Sequence, residues 1–259
     1  MLLRSIYLAV SLLAVVALSG CAGREPPHPD YDPWEGFNRG VFTFNDKLDE
    51  YGLEPVARGW DYVVPHPVQS CISRFFNNLR FPIILVNDIL QGKPHAALEA
   101  IARFQVNTFF GGLGLFDLAA DYGGLKPQDE DTGQTLGYWG ISPGPYLVLP
   151  FLGPSNPRDV VGLGGDFALG FYTYFVPVPY VTIAASAINI VNERARFLDV
   201  VKNAKEASLD YYTFVRNAYV QRRWKAVNDT LGKTTSDQED ELYNDEIYED
   251  YLEEGNKPY

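Results

Sequence analysis

Gly140-Ile141-Ser142-Pro143-Gly144 matches G-x-S-x-G, the nucleophile elbow of serine hydrolases. That chemistry draws an oxyanion donor from the backbone N–H of the residue after the serine, at the start of a helix. Here that residue is Pro143, which has no N–H, and Pro145 comes two residues later. A lipid-modifying hydrolase using Ser142 is therefore the alternative, and a non-enzymatic protein the expectation. His28, His66 (between Pro65 and Pro67) and His95 form no H-x-x-x-H pair and have no cysteine beside them, so no metal centre is expected. Gly111-Gly112-Leu113-Gly114 and Gly162-Leu163-Gly164-Gly165 lack the Lys-Ser/Thr of a phosphate loop and the full G-x-G-x-x-G spacing. They read as turns or close packing, and no cofactor is expected. Asp129-Glu130-Asp131 has no second acidic cluster to complete a paired-carboxylate site and reads as a solvated loop.

One residue does carry a chemical signature. Leu18-Ser19-Gly20-Cys21 closes an apolar run from Ile6 to Leu18 behind Arg4. The run is too short for a hydrocarbon core of about 30 Å and ends in small residues, as a secretory signal does. Cysteine directly after Leu-Ser-Gly resembles the lipobox of bacterial lipoproteins, in which the thiol is diacylated, the signal is cut and the cysteine becomes an acylated first residue. Residues 1–20 are thus expected to be removed and residues 21–32, rich in proline, to be a lipidated tether. Each buried methylene contributes roughly 0.8 kcal/mol, so such an anchor holds a chain on a membrane without a transmembrane helix. Ala22, rather than Asp, stands next, which in that class favours passage to the outer membrane.

The body of the chain must fold without help from cysteine chemistry. With Cys21 consumed by lipid, Cys71 is alone, no intramolecular disulfide can form, and Cys71 is expected to be a small buried apolar residue. Hydrophobic residues make up 46% of the chain and aromatic ones 14%, with seventeen Tyr and sixteen Phe, which is more aromatic surface than a core needs. The net charge of −12 is concentrated at one end. Residues 234–259 hold ten Asp or Glu against one Lys and read as an acidic, disordered tail outside the folded body, residues 33–233. No basic stripe marks a nucleic-acid binder.

Helical periodicity is clear at several places. Phe37, Val41, Phe44, Leu48 and Tyr51 fall at spacings of four, three, four and three, predicting one apolar helix face over Glu35–Tyr51. A second helix is expected over Pro67–Leu79, with a break at Pro82 before Ile83–Leu90, and a third from His95 to about Phe110. Between Gly111 and Gly170, glycine and proline are so dense that an irregular central segment is expected, regular only at Leu115–Asp121 and Tyr146–Leu149. Helices return over about 178–200 and 204–229. Residues 176–191 carry no charge, yet fall short of a span of ~20 residues, so this stretch reads as a buried or interfacial helix.

The order of short motifs carries a family resemblance. Asp32-Pro33-Trp34-Glu35-Gly36-Phe37-Asn38-Arg39 is followed by Phe44-Asn45, Asn78-Leu79, Val86-Asn87, Leu90-Gln91-Gly92, Asn107-Thr108 and Gly114-Leu115-Phe116-Asp117. Then come Gly133-Gln134-Thr135-Leu136-Gly137, Trp139-Gly140, Gly144-Pro145-Tyr146, Leu149-Pro150, Gly153-Pro154 and Arg158-Asp159. Together, behind a lipobox, these resemble the MlaA (VacJ) family of outer-membrane lipoproteins. Arg74, Phe81 and Thr132 depart from what that family more often has.

The resemblance implies a mainly α, ring-shaped bundle of amphipathic helices embedded in one membrane leaflet, the inner leaflet of the outer membrane. It implies an amphipathic channel that removes mislocalised phospholipid from the outer leaflet and passes it to a periplasmic carrier of the MlaC type, beside a trimeric porin. A purely structural, porin-bracing lipoprotein is the other alternative. Polar residues recurring inside apolar helices, Asn38, Asn45, Asn87, Gln91 and Asn107, are expected either to line the passage or to cap and bridge helices, with bridging favoured. Tyr146, Leu149, Pro150 and Phe151 are expected in a loop near the channel mouth.

Overall fold

The computed structural model describes residues 32–171 and 179–230, so the expected signal, Cys21, most of the expected tether and the acidic residues 234–259 lie outside the described residues. Helix α1 (Glu35–Leu48) runs through a π-helical turn, Asp49–Leu53, into α2 (Glu54–Val63). Little in the sequence announces α2, because Pro55 and Gly59 look like breakers. Pro55 sits in the first turn, where its missing N–H costs nothing. The same device starts α3 (His66–Leu79), α4 (Phe81–Leu90) and α5 (Pro94–Phe109) with Pro67, Pro82 and Pro94. Pro82 therefore sits inside the first turn of α4 and the chain breaks at Arg80, ahead of the expected point. Gly92, with φ of 71°, ends α4 in the left-handed conformation that suits glycine.

The central segment is more regular than its composition predicts. It contains α6 (Leu118–Asp121), α7 (Thr132–Tyr138), an antiparallel hairpin of β1 (Leu147–Leu149) and β2 (Gly153–Ser155), and α8 (Pro157–Leu169). Leu147 lies opposite Ser155, and Leu149 opposite Gly153. The expectation of an irregular centre fails because its glycines serve packing as well as turns. A Cβ on Gly162, inside α8, would meet the backbone N of Gly133 in α7 at 2.5 Å, and one on Gly165 would meet Thr132 at 2.6 Å. These helices cross so closely that only glycine fits. Side-chain oxygens of Asp131 and Asn156 accept N–H bonds at the starts of α7 and α8.

The chain ends in α9 (Pro179–Arg196), α10 (Leu198–Ala207) and α11 (Tyr211–Thr230). A break at Ser208–Asp210 separates α10 from α11, where the sequence predicts continuous helix from residue 204. Neighbouring elements close a circuit: α1 to the hairpin, hairpin to α11, α11 to α7, which also packs on α8, α7 to α4, α4 to α5, both to α3, α3 to α9, and α9 through α2 back to α1. The fold is mainly α and its connectivity is that of a ring.

Its packing is inverted relative to a water-soluble globule. The largest fully buried side chains are Gln69, Gln91, Val148, Asn38, Asn87, Asn192, Thr135 and Asp88. Buried apolar side chains are few, with one cluster of Tyr146, Val148 and Tyr212 flanked by Val41, Phe42, Tyr219 and Val220. Meanwhile Phe37 is 60% exposed, Tyr51 74%, Phe109 76% and Phe167 76%. The apolar face of α1 predicted from spacing exists, but it points outward, and Asn38 is the buried residue of that helix. The uncharged half of α9 does the same through Tyr180, Val181, Ile183, Ile188 and Ile190. Exposed apolar surface on this scale marks contact with something other than water. Among the described residues, no helix is long and apolar enough to cross a membrane. Cys71 is half-buried rather than fully enclosed.

Candidate functional site

The ring holds a cavity of about 620 Å³. Helix α3 supplies Ser70, Ser73, Arg74, Asn77 and Asn78, at spacings of three, one, three and one, which is one polar helix face. The lining also takes Phe81 and Ile84 from α4 and Phe104 from α5, with the rings of Phe81 and Phe104 stacked at 4.2 Å. The lining thus combines polar and apolar side chains, as an amphipathic molecule requires.

Charge in the cavity is largely paired. The Arg103 guanidinium makes a two-pronged bond to Asp117, at 3.0 and 2.8 Å, and Asn107 donates to the same carboxylate at 2.8 Å. Burial pushes the Asp117 carboxyl up, but Arg103 and Asn107 outweigh it and hold the group below the ordinary carboxylate range. Arg80 and Arg222 share Asp129, at 2.7 and 3.1 Å. Arg196 donates to Ser73 Oγ at 2.7 Å and lies 3.5 Å from Glu193. A second cavity, about 590 Å³, adjoins the first and shares Arg80, Asp129 and Arg222 with it. Those three residues form the divide between the two chambers.

Of the amide side chains expected at the site, Asn38 donates to the Tyr146 carbonyl at 3.0 Å and accepts from the Val148 N–H at 2.9 Å. Two turns on, Asn45 donates to the Leu149 carbonyl at 2.9 Å and accepts from the Phe151 N–H at 2.8 Å. One face of α1 therefore substitutes for a third strand along the hairpin. Asn87 accepts from Thr135 at 2.6 Å and Gln91 donates to it at 2.9 Å, tying α4 to α7. Asn107 also accepts from the Ala119 N–H at 2.9 Å, and of these five it is the one that lines the 620 Å³ cavity. A sixth, Asn192, joins three helices by donating to the Gln69 carbonyl and Ser73, both at 3.0 Å, and accepting from Trp60 at 3.1 Å.

Tyr146 is buried, whereas Pro150 and Phe151 sit exposed at the hairpin tip, with Phe151 edge-on to Phe44 at 5.5 Å. Leu149 borders a smaller cavity of about 210 Å³ that shares Asp131, Pro154, Tyr219 and Arg223 with the second one. The polar stripe of α3 escapes a reading that attends to the complementary apolar positions Val68, Ile72, Phe75, Phe76 and Leu79. It is visible as the same periodicity read from the other face.

Asp129, Glu130 and Asp131 are ion-pair anchors rather than a solvated loop. Glu130 pairs with Lys93 at 2.7 Å, and Asp131 with Arg223 at 2.5 Å. Burial pushes the Asp131 carboxyl up, and Arg223 with Gln134 brings it below its ordinary value. Arg223 also donates to Asp159 at 2.8 Å, and Tyr219 donates to Asp159 at 2.5 Å, joining α11, α7 and α8. Ser142 lies in irregular chain, exposed, its Oγ accepting from the Gly144 N–H at 3.5 Å. His66 and His95 are both exposed, beside Asp61 and Glu99. No group of three metal-ligating side chains gathers among the described residues.

One buried carboxylate is unpaired. Asp88 is fully enclosed in α4, and neither oxygen has a hydrogen-bond partner among the described residues. Burial, then the nearby Glu130 charge, pushes its pKa up to about 6. The ionised form is therefore penalised in the folded protein above that pH, while below about 4 both folded and unfolded forms are neutral. Asp88→Asn is expected to raise the melting temperature at pH 7, with the gain fading as pH falls through about 6. An unchanged melting temperature at pH 7 would contradict this.

The mainly helical fold is shared with a solved chain from a structure described as the structural basis for maintenance of bacterial outer membrane lipid asymmetry. That chain is 35% identical, aligns with a TM-score of 0.67 and is 98% covered, over 76% of this chain. The family model for the MlaA lipoprotein matches residues 30–226, and the chain belongs to that family. The "Intermembrane phospholipid transport system lipoprotein MlaA" of Escherichia coli is 36% identical over 223 residues, 83% of this chain and 86% of its own. Its counterpart in Haemophilus influenzae is 34% identical over 225 residues, 85% of this chain and 89% of its own.

Proposed function

We propose that this chain is an outer-membrane lipoprotein of intermembrane phospholipid transport, anchored through Cys21 on the periplasmic-leaflet side. Mislocalised phospholipid leaves the outer leaflet through the central cavity and passes to a periplasmic carrier of the MlaC type, with a trimeric porin beside the ring. The observation that carries this reading is the inversion of the fold. Apolar side chains face outward, where acyl chains would meet them, and an amphipathic cavity lies within. Phe37, Phe44, Phe151 and the outward face of α9 are the lipid-contacting surface. Asn38, Asn45, Asn87 and Gln91 hold the ring together around the passage, and Asn107 both braces it and faces the lipid. Tyr146, Leu149 and Pro150 keep the hairpin in register beside that surface.

No covalent step is required. Ser142→Ala is expected to transfer phospholipid at the wild-type rate, whereas a hydrolase would lose all turnover; lost activity in this variant would favour the enzyme. The decisive experiment is reconstitution of the full lipoprotein in vesicles with a soluble carrier. Protein-dependent appearance of labelled phospholipid on the carrier supports the conduit, and its absence would favour a porin-bracing role. In cells, deletion should leave phospholipid in the outer leaflet and increase detergent sensitivity.

A further inference from the structure

The polar lining of the cavity is unevenly used. Ser73 accepts from Arg196 and Asn192, and Asn78 donates to Thr108 at 2.9 Å, so those two are spent on holding helices together. Ser70, Arg74 and Asn77 have side chains with no hydrogen bond or ion pair to another described residue. They succeed one another at spacings of four and three, hence on consecutive turns of one face of α3, about 5–6 Å apart. A guanidinium is thus flanked by a hydroxyl and an amide, three unspent sets of donors lining one chamber.

The charges around them point the same way. Five arginines, Arg74, Arg80, Arg103, Arg196 and Arg222, line the cavity against three carboxylates, Asp117, Asp129 and Glu193. Each carboxylate already has a guanidinium, and Asp129 has two. An ammonium entering the cavity finds no free acid and a surplus of two positive charges. A phosphate oxygen finds Arg74, and bonds between a guanidinium and phosphate are charge-assisted and comparatively strong.

We infer that Ser70, Arg74 and Asn77 form a phosphate cradle, and that the uncompensated positive charge around it makes the cavity selective for phospholipids of net negative charge over zwitterionic ones, whose ammonium it repels. This rests on the conduit reading and adds the headgroup class to it. Arg74 holds the phosphate diester, Ser70 and Asn77 donate to its remaining oxygens, and the acyl chains lie toward Phe81, Ile84 and Phe104. Removing one charge-assisted bond of this kind is expected to lower retention of the anionic lipid about tenfold.

The test uses the full lipoprotein, equilibrated with an equimolar mixture of phosphatidylglycerol and phosphatidylethanolamine, with bound lipid identified by mass spectrometry. Wild-type protein should retain phosphatidylglycerol in excess, Arg74→Ala, which leaves a surplus of one positive charge, should reduce that excess, and Arg74→Lys, which keeps the charge, should preserve most of the enrichment. Arg74 is exposed and unpartnered, so Arg74→Ala should melt with the wild type. Equal retention of the two lipids by the wild type, or enrichment unchanged in Arg74→Ala, would overturn the inference while leaving the conduit intact. Displacement of phosphatidylglycerol by inorganic phosphate alone would assign the cradle to free phosphate instead. Wild-type protein that carries no phospholipid at all would remove the conduit reading itself.

Discussion

Ile84→Trp is expected to cut phospholipid transfer at least tenfold while leaving the protein folded. Ile84 lines the cavity from α4 and is half-buried, beside the stacked Phe81 and Phe104. An indole there narrows the apolar lane without touching the arginine pairs or the asparagine bridges. A passage barrier raised by only about 1.4 kcal/mol already lowers a rate tenfold, so even partial obstruction is measurable. Ile84→Val, which leaves the lane open, should transfer as the wild type does and lose about 1 kcal/mol of stability. Carrier-loading kinetics in vesicles measure the first, and thermal melting separates it from unfolding. Normal transfer through Ile84→Trp would mean that lipid takes a path outside this cavity.

Arg223→Ala should produce the largest loss of stability among single substitutions at charged residues. Its guanidinium, 17% exposed, bridges Asp131 and Asp159, which are 18% and 11% exposed, and so joins α11 to the close-packed pair α7 and α8. Removing one partner from a buried ionic group costs about 3–5 kcal/mol; here the cost falls mainly on Asp131, which keeps only its bonds from Gln134, while Asp159 retains Arg158 and Tyr219. The melting temperature should fall by on the order of 10 °C. Replacing Arg223 and Asp131 together by Met and Asn should cost less than the single change, since Asp131 is then not left charged without its guanidinium and Asp159 keeps Arg158, at 3.1 Å. A drop of under about 2 °C in Arg223→Ala would show that the three helices are held by other means.

Much of the fold was legible from spacing alone. The helices at Phe37–Leu48, Val68–Leu79 and Leu98–Phe109 announce themselves by period, because a helix exposes the same face every three or four residues whatever that face meets. Period does not say which medium the face meets. The apolar stripe of α1 is consistent with a core until Asn38 and Asn45 are seen gripping the hairpin behind it. Glycine was the harder signal. Gly111-Gly112-Leu113-Gly114 does make turns, with positive φ at Gly112, Leu113 and Gly114, but Gly133 and Gly162 lie in helices and permit a close crossing. Local sequence cannot distinguish these uses, since the second depends on a partner far along the chain. The site was legible only in outline. Asn107 stands out in the sequence as a polar residue within an apolar helix, whereas Ser70, Arg74 and Asn77 share a cavity lining only once α3, α4 and α5 have packed.

The interior of amide, hydroxyl and ion-pair groups has a calorimetric consequence. Unfolding ordinarily raises heat capacity because apolar groups become hydrated, by about 12–15 cal/mol/K per residue, while hydration of polar groups lowers it. In detergent the apolar outer face stays covered in both states, and what unfolding newly wets is dominated by Asn, Gln, Thr and paired charges. The stability curve should accordingly be broad and flat, with little cold destabilisation and an unfolding enthalpy that changes only weakly with temperature.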